Sequence, residues 1–280
     1  MIQQKVRWGT ITYWTASEYT KLDSLRSGLE DLGLGQFCPE PRTPQAALRD
    51  ALQETFPGKD FSVEKLEDQG FEVVRIERGE LRNSYHHLLT AKLNEDHTTI
   101  LFQPLTQQAQ DVVASYNKHL GQVKVSAVTG CLTAILAHLG GTRLRPGGGI
   151  YWLADDRLPL WERVGQATEG AAVGGRTTVY RIRHDLDRDS VKAVHDAIAG
   201  EVRAEAEKLG ADLQSGTLGE RGLKNRQLQA TALRDKIREY EQILGLSLES
   251  LHRAVDDAEC AEALATISIA AGLGEETCSA

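Results

Sequence analysis

Between Leu105 and Ala154 the chain runs through two helix-length segments and then a glycine-closed hairpin. LTQQAQDVVASYNKHL comes first, Gly121 and Gln122 follow, and VKVSAVTGCLTAILAHL and GGTRLRPGGGIYWLA complete the stretch. Helix, short turn, helix and hairpin is the order of a winged helix, so this segment predicts a winged-helix-like unit. Gly147, Gly148 and Gly149 follow Pro146 and precede a strand. A phosphate-cradling loop would instead lead into a helix or carry Gly-Lys-Ser/Thr, so the glycines read as a wing tip.

Charge separates this segment from the rest. Net charge is −8 over 280 residues. Residues 1–104 carry 12 basic and 16 acidic side chains, a net −4. Leu105 to Ala154 carries Lys118, Lys124, Arg143 and Arg145 against Asp111 alone, a net +3. The remainder carries −7. The whole molecule is therefore not drawn to nucleic acid or to an anionic membrane, while one segment is locally basic. No apolar run approaches the roughly 20 residues that span a bilayer. The opening MIQQKVRWGTITYW has no apolar signal core, and a cytoplasmic location is expected. Cys38, Cys131, Cys260 and Cys278 are widely spaced, which argues against a disulfide framework.

Periodicity gives the flanking elements. Lys5 to Trp14 alternates and is rich in aromatic and β-branched residues, a strand. Thr15 to Glu18 reads as a helix start, with Tyr19, Leu22, Leu25, Leu29 and Leu32 at helical spacing. Pro44 opens a second helix with Ala47, Leu48, Ala51 and Leu52 as its apolar face. Gly70–Arg78, Glu80–Lys92 and Thr98–Gln103 read as strands joined by corners at Gly79 and at Asn94 to Asp96. Leu158 to Val164 is a short helix, Gly170 to Gly175 a flexible joint, and Thr177 to Arg183 a strand that returns to the N-terminal sheet or extends the wing. Asp189 and Ser190 cap a helix bearing Val191, Val194, Ile198, Val202 and Leu209. A glycine-containing break leads to a helix bearing Leu228, Leu233, Ile237, Tyr240 and Leu244. Narrow apolar stripes on two such helices predict an antiparallel hairpin. Leu246 to Ala271 is a last helical region, and the end of the chain is expected to be disordered.

The expected fold class is α+β. Residues 1–104 form an N-terminal domain with a small antiparallel sheet, and 105–185 a winged-helix-like unit with its return strand. Residues 186–272 form a helical hairpin and C-terminal helix, and 273–280 a tail.

Candidate chemistry is sparse. The second helix of the winged-helix segment presents Thr129, Thr133, Ala134 and His138, with no Arg or Asn to read a base edge. Any nucleic-acid contact falls to Lys118, Lys124, Arg143 and Arg145, which would reach phosphates and give salt-sensitive affinity. A role in protein contact or as a structural connector is the stronger reading for the unit. His86 and His87 point to opposite faces of one strand, and one could meet His97 at a metal. No third ligand is clearly placed, and no metal is expected. His184 and Asp185, with Asp187 and Asp189, superficially match a metal phosphohydrolase pair, but acidic residues at a helix start need no chemistry. There is no Gly-x-Ser-x-Gly and no cysteine in a nucleophile setting, so no catalytic residue or cofactor is assigned.

The run LRPGGGIYWL, with the helical hairpin after it, is similar to proteins of unknown function from bacteria, phages and mobile elements. That resemblance covers about the second half of the chain and transfers no catalytic residue. It implies a setting in phage or mobile-element biology, including defence. The expected function is a non-enzymatic interaction or assembly subunit, with a protein partner or self-association through Leu228, Leu233, Ile237 and Tyr240. A DNA-binding regulator is the alternative, and a metal-dependent hydrolase through His86 or His184 a third.

Overall fold

A computed structural model describes residues 8–67, 70–79, 82–145, 147–214, 220–245 and 247–258. In chain order the elements are β1 (Trp8–Thr15), β2 (Tyr19–Lys21), α1 (Leu22–Glu30), α2 (Pro44–Thr55), β3 (Phe61–Lys65), β4 (Gly70–Arg78), β5 (Asn83–Leu93), β6 (Ile100–Gln103) and α3 (Ala109–Leu120). There follow β7 (Gln122–Lys124), α4 (Val125–His138), β8 (Thr142–Arg143), β9 (Tyr151–Ala154), α5 (Leu158–Gly170), β10 (Ala172–Val173), β11 (Thr178–Asp185), α6 (Arg188–Gln214) and α7 (Glu220–Leu244). Residues 249–258 are again helical. Helices and small antiparallel sheets make the fold α+β. The expected tail 273–280, and the last helix beyond 258, lie outside the described residues.

The chain divides into two compact units. One, the sheet unit, comprises Thr15–Ile135 and Glu162–Thr178. The other, the hairpin unit, comprises the described parts of Met1–Trp14, Leu136–Trp161 and Val179–Ala280.

In the sheet unit, β3, β4, β5 and β6 form a four-stranded antiparallel meander. Its core joins Ala47, Leu48, Ala51 and Leu52 of α2 and Val112 and Tyr116 of α3 to Phe71, Val73, Leu89 and Ala91 of the sheet. α2 starts cleanly because Pro44 sits in its first turn and the Thr43 hydroxyl accepts from the Ala46 N–H. The strand β3 was not expected. Its sequence, FSVEK, sets Phe61 and Val63 against Ser62 and Glu64 over only five residues, and pairing with β4 holds it extended.

A second sheet orders β10, β2 and β7. It corrects the expected helix start. Tyr19, Thr20 and Lys21 pair with Lys124, Val123 and Gln122, so the helix begins at Leu22. Ser17, expected at that helix start, instead donates its hydroxyl to the Tyr19 carbonyl at 2.7 Å. Strand pairing at long sequence separation overrides local helical spacing here. The same sheet takes in Ala172 and Val173, within the stretch expected to be a flexible joint.

In the hairpin unit the sheet order is β11, β1, β9, β8. The N-terminal strand and the hairpin strands thus share one sheet, and the return strand closes its edge beside β1. Ile11 stands opposite Trp152. Gly9 is required in this register, because a Cβ there would lie 2.3 Å from the Trp152 indole nitrogen. Trp152 is 1% exposed and enters a core built by α6 and α7. Val194, Ile198 and Val202 of α6 meet Leu233, Ile237 and Tyr240 of α7 in that core. The cap of α6 is Asp187, not Asp189 or Ser190: its carboxylate accepts from the Ser190 N–H at 2.7 Å. α4 closes on Gly140, whose φ of +74° favours glycine.

Candidate functional site

Within the sheet unit, α2 sets two carboxylates one turn apart. Asp50 and Glu54 are i and i+4, so they share a helix face. Asp50 is 5% exposed although it carries a charge. Burying a carboxylate is tolerated only with compensating partners. Arg42 forms an ion pair with Asp50, Lys124 Nζ lies 2.9 Å from the same oxygen, and Arg49 lies 3.8 Å from the other. Glu54 takes Lys118 Nζ at 2.7 Å, the Ser115 hydroxyl at 2.5 Å and His119 Nε2 at 2.9 Å. These hydrogen bonds, led by Lys118 and then Ser115, pull the Glu54 carboxyl down to about 2.

His119 joins the two halves. It is 1% exposed, and Arg42 Nη1 lies 3.3 Å from its Nδ1. A guanidinium only donates, so Nδ1 must be the bare, accepting nitrogen. The proton then sits on Nε2 and is donated to Glu54. The ring is neutral in this arrangement, and burial pushes its pKa below the ordinary value. The Tyr19 ring packs on it at 5.3 Å. In a Ser-His-acid triad the imidazole stands between hydroxyl and carboxylate. Here the Glu54 carboxylate stands between Ser115 and His119, and both imidazole nitrogens are engaged. The arrangement ties α2, α3, β7 and the Arg42 segment together.

Two of the four basic candidates thus lie inside this network. Lys118 and Lys124 neutralise Glu54 and Asp50, which leaves less charge for a phosphate than the sequence suggested. Arg143 and Arg145 lie in the hairpin unit and are exposed. Arg143 donates to the Tyr151 hydroxyl at 3.2 Å and sits 5.5 Å from that ring's centroid. The helix–turn–helix–hairpin order is present in the chain, but α3 and most of α4 belong to the sheet unit while β8 and β9 belong to the hairpin unit. On α4, Thr129 and Thr133 are half-buried and Ala134 and His138 exposed.

The other candidates are placed as follows. His86 lies 3.4 Å from exposed Glu77 and His87 3.7 Å from half-buried Glu72, each across the β4–β5 pair. His97 occupies a turn with φ +58°, and its carbonyl accepts from the Tyr116 hydroxyl. Among the described residues no three His, Cys, Asp or Glu side chains converge as a metal site would require. Burial pushes the Cys131 thiol up to about 12, which removes it as a nucleophile at neutral pH. No described helix is long and apolar enough to cross a membrane.

Of the four hairpin candidates, Leu233, Ile237 and Tyr240 are buried between α6 and α7, and Leu228 is 62% exposed. Ile237 and Tyr240 are thus packed inside the hairpin, while Leu233 also reaches the lining of a cleft. The Tyr240 hydroxyl donates to the Gly140 carbonyl at 2.6 Å and lies 2.7 Å from the Thr142 hydroxyl. Beside these residues lies a cleft of about 530 Å³ between the end of α4 and the hairpin. Apolar Leu209, Ala232 and Leu233 line it together with Glu201, Glu205, Lys236 and Glu239.

Asp50, Glu54, His119 and Arg42 were not singled out from sequence. One signal was present: Asp50 falls between Ala47 and Ala51 on the apolar side of α2. A charge in that position needs a partner, and one of its partners, Lys124, comes from the distant strand β7.

No curated protein matches this sequence, and no solved structure matches it. A family model described as a family of unknown function does match, over residues 8–270, which spans both units. The chain belongs to that family, DUF6744.

Proposed function

We propose that this protein is a non-enzymatic interaction or assembly subunit that meets a protein partner, or a second copy of itself, through the α6–α7 hairpin. The observation that carries the reading is the cleft beside the hairpin, apolar at its floor and bordered by carboxylates. Exposed Leu228 lies one helical turn before Ala232 of that cleft. Apolar surface ringed by polar groups is the common form of a contact site. Both nitrogens of His119 are engaged and burial raises the Cys131 thiol, so neither residue is set up as a base or a nucleophile. The similarity of LRPGGGIYWL and its hairpin to proteins of phages and mobile elements supports a setting in that biology, including defence.

Affinity purification of the tagged chain from its native host, with and without nuclease, tests the reading. A stoichiometric protein partner or a defined oligomer that survives nuclease, and that Leu228→Asp weakens, is expected. A monomer with no partner would contradict it. Material recovered only with nucleic acid would favour a DNA-binding role carried by Arg143 and Arg145, the two candidates outside the Asp50 and Glu54 network.

A further inference from the structure

The charges of the hairpin cleft do not balance. Glu201, Glu205, Asp235 and Glu239 line it against Arg157 and Lys236. Both cations are already taken. Lys236 Nζ lies 2.5 Å from Glu201 Oε1 and donates to the Gly141 carbonyl at 3.4 Å. Arg157 lies 3.3 Å from Glu239 Oε1. Glu205, one turn along α6 from Glu201, has no partner among the described residues. Among the described residues Asp235 pairs only with Arg238 on its own helix, at 3.5 Å, with both side chains well exposed. The second oxygen of Glu201 is buried with no hydrogen-bond partner among the described residues. At this site, therefore, two carboxylates lack a cation within the cleft, and a third has acceptor capacity left. Leu209, Ala232 and Leu233 give it an apolar floor.

A ligand that satisfies both features has a cationic head on an apolar stem. Lysine and arginine side chains have that form, burying their methylenes while the head stays polar. A phosphate backbone has the wrong sign, facing four carboxylates on a chain of net charge −8. We infer that the cleft receives a lysine or arginine from a basic, amphipathic segment of a partner protein; this rests on the interaction-subunit reading and names the partner's chemistry. The head meets Glu205, with Asp235 adding negative charge at the mouth of the cleft. The stem and a neighbouring apolar residue lie over Leu209, Ala232 and Leu233, with Leu228 extending the apolar end.

Fluorescence anisotropy with the full-length protein tests this. The probes are an amphipathic peptide of leucine, alanine and lysine, and the same peptide with every lysine replaced by glutamate. The lysine peptide is expected to bind at least tenfold more tightly, with affinity falling as salt rises. A Glu205→Gln, Asp235→Asn double variant is expected to lose about tenfold, and Ala232→Arg to abolish binding, with unchanged thermal midpoints. Glu95→Gln with Asp96→Asn removes the same charge from an exposed turn of the sheet unit and is expected to bind as wild type. Equal binding of the two peptides, or equal losses in the cleft and turn variants, would overturn the inference. So would a nuclease-resistant protein partner retained by Ala232→Arg, an outcome that leaves the broader interaction reading standing.

Discussion

Asp50 concentrates the energetics of the sheet unit. Its side chain is 5% exposed and that of Arg42 is 10% exposed, so each depends on the other for compensation. Removing one partner of a buried pair leaves an uncompensated charge, at a cost of about 3–5 kcal/mol. Asp50→Ala is expected to lower the urea midpoint by that equivalent, whereas Arg49→Ala, at an exposed and more distant group, is expected to change it little. His119 adds a pH dependence whose sign follows from its depressed pKa. The unfolded ring takes up a proton near its ordinary 6.5 while the folded ring resists it. The stabilisation is therefore complete above about 6.5 and is lost as pH falls through the lower folded value. Protonation would also place an N–H against the Arg42 donor. Glu54 contributes a second loss, complete above 4.5 and given up as pH falls toward about 2. Urea midpoints measured from about pH 8 to pH 4 are expected to fall on the acid side of 6.5, with a smaller fall in His119→Asn. A flat profile in wild type would contradict the tautomer assigned here. Gly9 offers a steric test. An alanine methyl has no room against the buried Trp152 indole, and Gly9→Ala is expected to cost about 1–3 kcal/mol.

At the scale of elements, the sequence was most legible where one signal decided the outcome. Pro44 and the apolar positions Ala47, Leu48, Ala51 and Leu52 place the start and the buried face of α2. Thr43→Ala is expected to cost about 1 kcal/mol through the lost cap. The stripes on α6 and α7 likewise predict their packing, because Val194, Ile198 and Val202 can be buried only against a second apolar stripe. Legibility failed where distant pairing decided. Tyr19 has helical spacing with Leu22, yet it is a strand residue because β7 lies beside it. β3 alternates over five residues only, too short a signal to mark it without β4. The four apolar hairpin candidates looked alike as a stripe. Packing distinguishes them, since Leu233, Ile237 and Tyr240 face the core and Leu228 does not. Leu228→Asp is accordingly expected to leave the unfolding free energy within about 0.5 kcal/mol of wild type, and Ile237→Ala to cost about 2–5 kcal/mol.

Over the whole molecule, the distribution of charge carries the argument. A local excess of basic residues from Leu105 to Ala154 suggested a nucleic-acid surface on an acidic chain. Lys118 and Lys124 have carboxylate partners more than 60 residues away in sequence, a relation that no linear charge profile displays. The carboxylates of the hairpin cleft outnumber their cations instead. That imbalance favours a basic protein partner over DNA. The most direct measurement is purification of the tagged chain with nuclease present, comparing wild type with Leu228→Asp. The account predicts a stoichiometric protein partner, or a defined oligomer, that persists through nuclease treatment and is depleted by the variant. Recovery of a bare monomer, or of nucleic acid whose removal releases everything else, would contradict it.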